Sequence, residues 1–347
     1  MNRSNSKTVR MERAGIIAGG NWIIDHVKMI DVYPGQDALA NILGESLSNG
    51  GAPYNVLMDL ALLKAPFPLE AIGLVGHDSD GALILADCAR HKIDTCQLKK
   101  CTASTSYTDV MTVRSTGRRT FFHQRGANAW LDDEHFDFTR TRARLFHLGY
   151  LLLLDRLDRP CRRYGTVAAR VLARARQQGL KTSVDVVSED SQRFRRVVLP
   201  ALPHTDYCFL NEFETERSTG IELRRRGKVI AKRLPEAARL LMKAGVREWV
   251  IIHYPEAVFA LHRSGESHHQ GSVAWPRNRT AGTVGAGDAF AAGVLLGLHE
   301  GTRIGEALRQ GVCAAAASLS HTSCSAGVRS LRACLAWGAK YGYRKAV

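Results

Sequence analysis

The chain of 347 residues has no apolar run of the ~18 residues that a membrane-spanning helix needs. Its longest apolar stretches, at 148–154 and 314–319, have the length of core segments, so no membrane partner is expected. Eight cysteines form no Cys-x-x-Cys pair, which points to free thiols in a reducing compartment, most of them small core residues. Zinc-finger spacing and the aromatic ribonucleoprotein motif are both missing. So is the Gly-x-x-x-x-Gly-Lys-Ser/Thr phosphate loop, and the first βαβ unit carries no dinucleotide fingerprint. Residues 1–13 are basic but lack the apolar stretch of a secretory signal. They are expected to form a flexible basic tail on a cytoplasmic protein.

Acidic residues are also in deficit. Against 48 Lys and Arg stand 33 Asp and Glu, a formal charge of +15. Such a field attracts anions, whether nucleotides, phosphorylated metabolites or nucleic acid. Without a recognition motif, no nucleic-acid partner is expected. The densest basic run, 224–228, reads as a solvated loop. Hydrophobic residues at 45% and charged ones at 23% are ordinary globular values and exclude a wholly disordered chain.

Short apolar runs alternate with amphipathic helical stretches, the pattern of a parallel α/β protein. Strands are expected at 14–24, ending near Asp25, and at 70–75, 143–148, 181–187, 207–210 and 248–253. Helices are expected at 53–63, 79–91, 161–178, 235–244, 287–299 and 304–320. Between 104 and 125 the pattern changes to a hairpin with a glycine turn. A small β section follows at 258–262 and 271–275. No internal repeat appears. The reading is one doubly wound domain over 14–335, with a C-terminal tail at 336–347.

The strongest local feature is Thr283-Val284-Gly285-Ala286-Gly287-Asp288-Ala289-Phe290. Small residues lead into an apolar helix, so Gly285, Ala286 and Gly287 sit at its N-terminus. Backbone N–H groups there lack intrahelical partners, and the helix dipole adds positive potential. The result is a cradle for a phosphate or a developing oxyanion. Asp288 lies in the first turn, where its carboxylate could take a proton from an attacking hydroxyl.

This run resembles the C-terminal signature of the ribokinase-like (pfkB-type) family of carbohydrate and nucleoside kinases. Four further segments fall in the family's order: Asn49-Gly50-Gly51 through Asn55, Gly73 to Gly81, Gly126-Ala127-Asn128, and Asn211-Glu212-Phe213-Glu214. The resemblance implies a doubly wound, mostly parallel sheet flanked by helices, with a small β lid from about 26–36 and 104–125. It implies an ATP-dependent kinase acting on a hydroxyl of a small sugar or sugar derivative. Asp288 would be the base, and the amides of Gly285, Ala286 and Gly287 the anion hole. Asp25, Gly50, Gly51 and Asn55 would bind the sugar. Asn211 and Glu214 would place the Mg2+-nucleotide through water, without a direct metal-ligand set. Lid strands imply a homodimer. A nucleoside kinase on the same scaffold is the alternative, and a non-catalytic ligand sensor a more distant one.

The chain also departs from the family pattern. Gly282 stands where many relatives have an Asp that helps hold a monovalent cation, so no such site is expected. At 253–256 the sequence is His253-Tyr254-Pro255-Glu256 in place of a Thr-x-Gly turn. Asp185-Val186-Val187-Ser188 replaces an Asp-Pro-Asn-x-Arg run. The acceptor is therefore not legible by analogy. Arg125, Asn128 and Tyr150 lie near the expected sugar side, without an assigned role.

Overall fold

Buried apolar runs build a nine-stranded sheet in the computed structural model, which describes residues 13–346. The expected basic tail lies, apart from Arg13, outside the described residues. In chain order the strands are β1 (Ile16–Gly20), β2 (Ile23–Ile30), β3 (Ile42–Gly50), β4 (Leu69–Gly76), β5 (Ile93–Cys101), β6 (Ser106–Val113), β7 (Arg119–Gln124), β8 (Leu145–Leu151), β9 (Pro160–Cys161), β10 (Gly165–Thr166), β11 (Lys181–Val186), β12 (Tyr207–Asn211), β13 (Arg224–Arg225), β14 (Lys228–Val229), β15 (Trp249–Tyr254), β16 (Ala257–His262) and β17 (Ser267–Gly271). The helices are α1 (Ala52–Leu62), α2 (Ser79–Arg90), α3 (Val167–Gln177), α4 (Phe194–Ala201), α5 (Glu212–Thr219), α6 (Leu234–Lys243), α7 (Ala286–His299), α8 (Ile304–Ser318) and α9 (Leu331–Tyr341).

The large sheet runs β17-β16-β15-β12-β11-β8-β1-β4-β5. It is parallel from β15 to β5, with β16 and β17 added antiparallel at one edge. β1 is buried along its whole length because helices cover both faces. One apolar layer joins the sheet to α1, α2, α7 and α8; the other joins it to α3, α4 and α6. The expected doubly wound architecture is therefore present. A separate four-stranded sheet, ordered β3-β2-β6-β7, stands over the carboxyl ends of the parallel strands and forms the lid.

Several expected boundaries shift, each for a local reason. The strand expected at 14–24 breaks after Gly20, and its second half belongs to the lid. Asn21 and Trp22 turn their backbones out of the sheet: Asn21 N donates to the Gly149 carbonyl at 2.9 Å, and Trp22 N to Asn128 Oδ1 at 3.2 Å. Asp25 thus lies inside a lid strand rather than at the end of a core strand. The lid also contains β3, outside the expected 26–36 segment. Most of β3 is exposed, so it carries no strong apolar signal, and its pairing with β2 defines it. Helix α3 begins only at Val167, where Thr166 Oγ1 accepts from Ala169 N; residues before it fold into the β9–β10 ribbon. In the edge section the second strand is Ser267–Gly271 rather than 271–275. Helix α9 crosses the boundary expected at 335, with Cys334 and Gly338 buried, so the segment from 336 is helical through Tyr341. The basic run at 224–228 is a tight ribbon whose Arg224 pairs with Glu212 at 2.8 Å and Glu256 at 3.2 Å.

Candidate active site

β1 pairs with β4 on one side and β8 on the other, so the strand order reverses beside it. In open α/β sheets the crevice beyond the carboxyl ends at such a point is the natural ligand site. Tyr150, Asp185, Asn211 and His253 come from the carboxyl-terminal parts of β8, β11, β12 and β15 and converge there.

The floor of the crevice is the N-terminus of α7. Gly285 precedes the helix in the left-handed conformation (φ 79°), and a Cβ there would stand 2.7 Å from the Cys324 Cα. Only glycine fits. No side chain caps the helix, so its first amides remain available to a ligand. Asp288 is 3% exposed and accepts Asn55 Nδ2 at 2.7 Å on Oδ2. The Tyr150 hydroxyl reaches Oδ1 at 2.9 Å and Oδ2 at 2.7 Å. Burial pushes this carboxyl above the ordinary range, and the Asn55 and Tyr150 donors hold it back. Oδ1 has the lighter load of the two oxygens, leaving a lone pair for a substrate hydroxyl.

Asp25 faces this floor from the lid. It lies beside Ser48 on β3 and Thr108 on β6, with His123 next across β7. Burial pushes its carboxyl up to about 7, against the thiol of Cys324, the hydroxyl of Thr108 and the charge of Arg119, which favour ionisation. Gly50 and Gly51 are required by close approach. A Cβ on Gly50 would lie 2.6 Å from Asp25 Oδ1, and one on Gly51 would lie 2.1 Å from the Asn21 carbonyl oxygen. His123 is held neutral by burial, its pKa lowered to about 4. Its Nδ1 is 3.0 Å from Thr108 Oγ1, while Nε2 has no partner among the described residues. Asp25, Asn55, Phe121, His123, Tyr150 and Asp288 line one cavity of about 400 Å3.

Asn211 and Glu214 stand at its border. They form a reciprocal cap on α5: Glu214 N donates to Asn211 Oδ1 at 2.9 Å, and Asn211 N to Glu214 Oε2 at 2.8 Å. Glu214 Oε1 accepts Asn211 Nδ2 at 2.7 Å and Ser188 Oγ at 2.6 Å. Burial raises the carboxyls of both Glu214 and nearby Asp185. A second, mainly apolar cavity of about 500 Å3 opens from Asn211 past His253, Gly287 and Phe290 to Leu319. The His253 ring lies 5.3 Å from Phe290 and is kept neutral by burial, its pKa near 4.

The structure thus gathers Asp25, Gly50, Gly51, Asn55, Gly285, Ala286, Gly287 and Asp288 at one end of the crevice, with Asn211 and Glu214 alongside. Tyr150, which had no assigned role in the sequence, is the second donor to Asp288. Thr108, His123 and Asp185 were not singled out as site residues either, since each reaches the cleft through pairing between distant segments. Asn128 is structural: its amide clamps Trp22 N at 3.2 Å and Trp22 O at 3.1 Å. Arg125 pairs with Asp155 at 3.4 Å.

Fold and crevice together define a doubly wound α/β protein whose ligand cleft is roofed by a small β lid. The pfkB family carbohydrate kinase profile matches residues 21–331, and the chain belongs to that family. Its fold is that of ribokinase structures. The Thermotoga maritima ribokinase superposes with a TM-score of 0.76 at 17% identity, covering 93% of this chain and 99% of that one. The Arabidopsis thaliana ribokinase, solved with ribose and ATP, gives 0.75 at 20% identity, covering 94% and 99%. A Methanocaldococcus jannaschii nucleoside kinase gives 0.69 at 15% identity, covering 95% and 99%. Among the described residues, no helix is long and apolar enough to cross a membrane.

Proposed function

We propose that the protein is an ATP-dependent kinase that transfers the γ-phosphoryl group to a hydroxyl of a small sugar or sugar derivative. The observation that carries this reading is Asp288: a buried carboxylate at the open N-terminus of α7, held by Asn55 and Tyr150, with Asp25 facing it across a cavity. Asp25 binds acceptor hydroxyls, since its two oxygens can each take one donor. Asp288 Oδ1 takes the proton as the acceptor oxygen bonds to the γ-phosphorus and the bond to the β-phosphate oxygen breaks, releasing ADP. The amides of Gly285, Ala286 and Gly287 and the positive end of α7 meet the charge on the transferring group. Gly285 sets the turn that aims them.

The apolar cavity beyond Asn211 and His253 suits the nucleotide base. Glu214 fits a role toward Mg2+ through water, because Asn211 and Ser188 already occupy its oxygens. Bound Mg2+ would neutralise phosphate charge. The lid, closing over the acceptor, excludes water. Its outer strands carry Ile42, Leu43, Leu47 and Phe122 exposed, with Leu39 exposed in the loop before β3, which supports a homodimer through the lid.

The test is ATP consumption with Mg2+ against pentoses, hexoses, sugar acids, sugar phosphates and nucleosides, with Asp288→Asn in parallel. Turnover on a sugar or its derivative that disappears in the variant is the expected result. Turnover on nucleosides alone would move the protein to the nucleoside branch of its family. ATP binding without any phosphorylated acceptor would favour a ligand sensor.

A further inference from the structure

Strand register arranges the inner face of the lid in rows. Asp25, Thr108 and His123 form the first, Val27, Val110 and Phe121 the second, and Met29, Thr112 and Arg119 the third. Residues two apart on a strand share a face, so all three rows look toward the same floor. The first row covers Asp288. The third covers a further cavity of about 510 Å3, bounded below by Thr280, Gly282, Thr283 and Thr322. The two cavities adjoin: residues 280–283 line this one, and Val284 and Gly285 line the acceptor cavity.

Two groups in the third row lack partners. The Arg119 guanidinium is half-buried and, among the described residues, makes neither an ion pair nor a hydrogen bond. Thr112, directly opposite it in the ladder, is buried with its hydroxyl unpartnered. The guanidinium rests against Gly282, 2.9 Å from the point a Cβ would occupy, so the loop leaves room for it. Its charge is felt at Asp25, two rows along. A half-buried cation with unused donors beside a buried hydroxyl with no partner leaves two groups that one acceptor-rich anion can bind together.

We infer that Arg119 and Thr112 read an anionic group on the acceptor, which is a sugar derivative bearing a carboxylate or a phosphate remote from the hydroxyl that is phosphorylated. This rests on the kinase reading above and names its substrate class. Asp25 holds the hydroxyl end, Phe121 covers the middle, and the arginine fork takes two oxygens of the anion in parallel. Rows one and three are about 13 Å apart along the strands. An arginine side chain folded back toward Asp25 shortens that span toward the length of a five- or six-carbon acceptor with its acidic end. The competing occupant of the same guanidinium is the γ-phosphate of ATP.

Steady-state kinetics with Mg2+-ATP separate the two, using D-ribose and D-fructose as neutral acceptors, D-gluconate and 2-keto-3-deoxy-D-gluconate as carboxylates, and D-fructose 6-phosphate as the phosphate. The expected result is a kcat/KM for one acid class above that of the neutral sugars. In Arg119→Met the KM for the acid should rise about 10–100-fold, the scale of a charge-assisted contact, with the KM for ATP moved far less. Thr112→Val should raise the same KM by a smaller factor. The carboxylate and phosphate arms tell which anion is read. A preference for neutral sugars, or an Arg119→Met effect that falls on ATP or equally on all acceptors, would overturn the inference. If no acceptor is phosphorylated, the kinase reading fails first. Calorimetric binding of the same acids then decides this inference: binding lost in Arg119→Met supports it, and binding that is absent or equal in both proteins overturns it.

Discussion

The floor and the roof of this cleft are built on opposite terms. At the floor, Asp288 is buried, bonded to Asn55 and Tyr150, and fixed to a helix whose glycine turn tolerates no side chain. At the roof, His123 Nε2, the Thr112 hydroxyl and Arg119 all lack partners among the described residues, and Phe121 is 54% exposed. On the proposed reading, groups that act in every turnover are held by the body, and groups left unsatisfied on a small sheet are available to a ligand. If that division is real, floor substitutions should fall on kcat and roof substitutions on acceptor KM.

The strongest way to break the division is Asp288→Asn. Removing a general base typically lowers the rate by about 10²–10⁴-fold, and the KM for ATP should stay within a few-fold of wild type. A loss confined to KM would mean that Asp288 only binds. Next is Asp25→Asn, which should raise acceptor KM by about 10–100-fold through lost charge-assisted bonds, with a smaller change in kcat. It also makes a pH prediction. Asp25 must be ionised to receive two hydroxyls, and burial raises its carboxyl to about 7. Acceptor KM should therefore rise as pH falls through 7, and the asparagine variant should lose that dependence. Smaller still is Tyr150→Phe. The Tyr150 hydroxyl favours the ionised form of Asp288, so its removal should shift the acidic limb of kcat to higher pH, with about a tenfold loss near neutrality. An unshifted limb would show that Tyr150 serves packing alone.

The floor was legible in the sequence because its device is local. Gly285 through Asp288 place a left-handed turn, open amides and a carboxylate within four residues, and a reader of helix starts can find them. The alternation that predicted the doubly wound sheet is local too. The hairpin of the roof was legible from its glycine turn, but its chemistry was not, since that lies in register. Nothing near Arg119 announces that it stands opposite Thr112, and β3 has no apolar periodicity to mark it as a strand. Tyr150 reaches Asp288 from the carboxyl-terminal part of β8, a contact 138 residues apart in sequence. Asn211 and Glu214 show the reverse case. Their spacing is legible, but it describes a helix cap as well as a nucleotide contact, and the structure shows the cap formed.

One residue of the floor departs from the rule, and it provides the last test. Asp59 lies one turn after Asn55 on α1, fully buried, with neither carboxylate oxygen in a well-aligned hydrogen bond. Burial raises its carboxyl well above the ordinary value, the charge of Asp288 adds to this, and the Ser325 hydroxyl only partly offsets it. A carboxyl raised on folding contributes stability that is fully present below about pH 4, the unfolded value, and is lost as pH rises through the folded one. Asp59→Asn cannot ionise, so its gain over wild type should grow with pH. At pH 8 a gain of about 1–2 kcal/mol would raise the melting temperature by roughly 1–3 °C in a chain of this length. Thermal unfolding of both proteins from pH 5 to pH 8 measures this directly. A variant that is less stable by the same amount at every pH would show instead that Asp59 is ionised and paired in the native protein, which would extend the rule of the floor to the one residue that departs from it here.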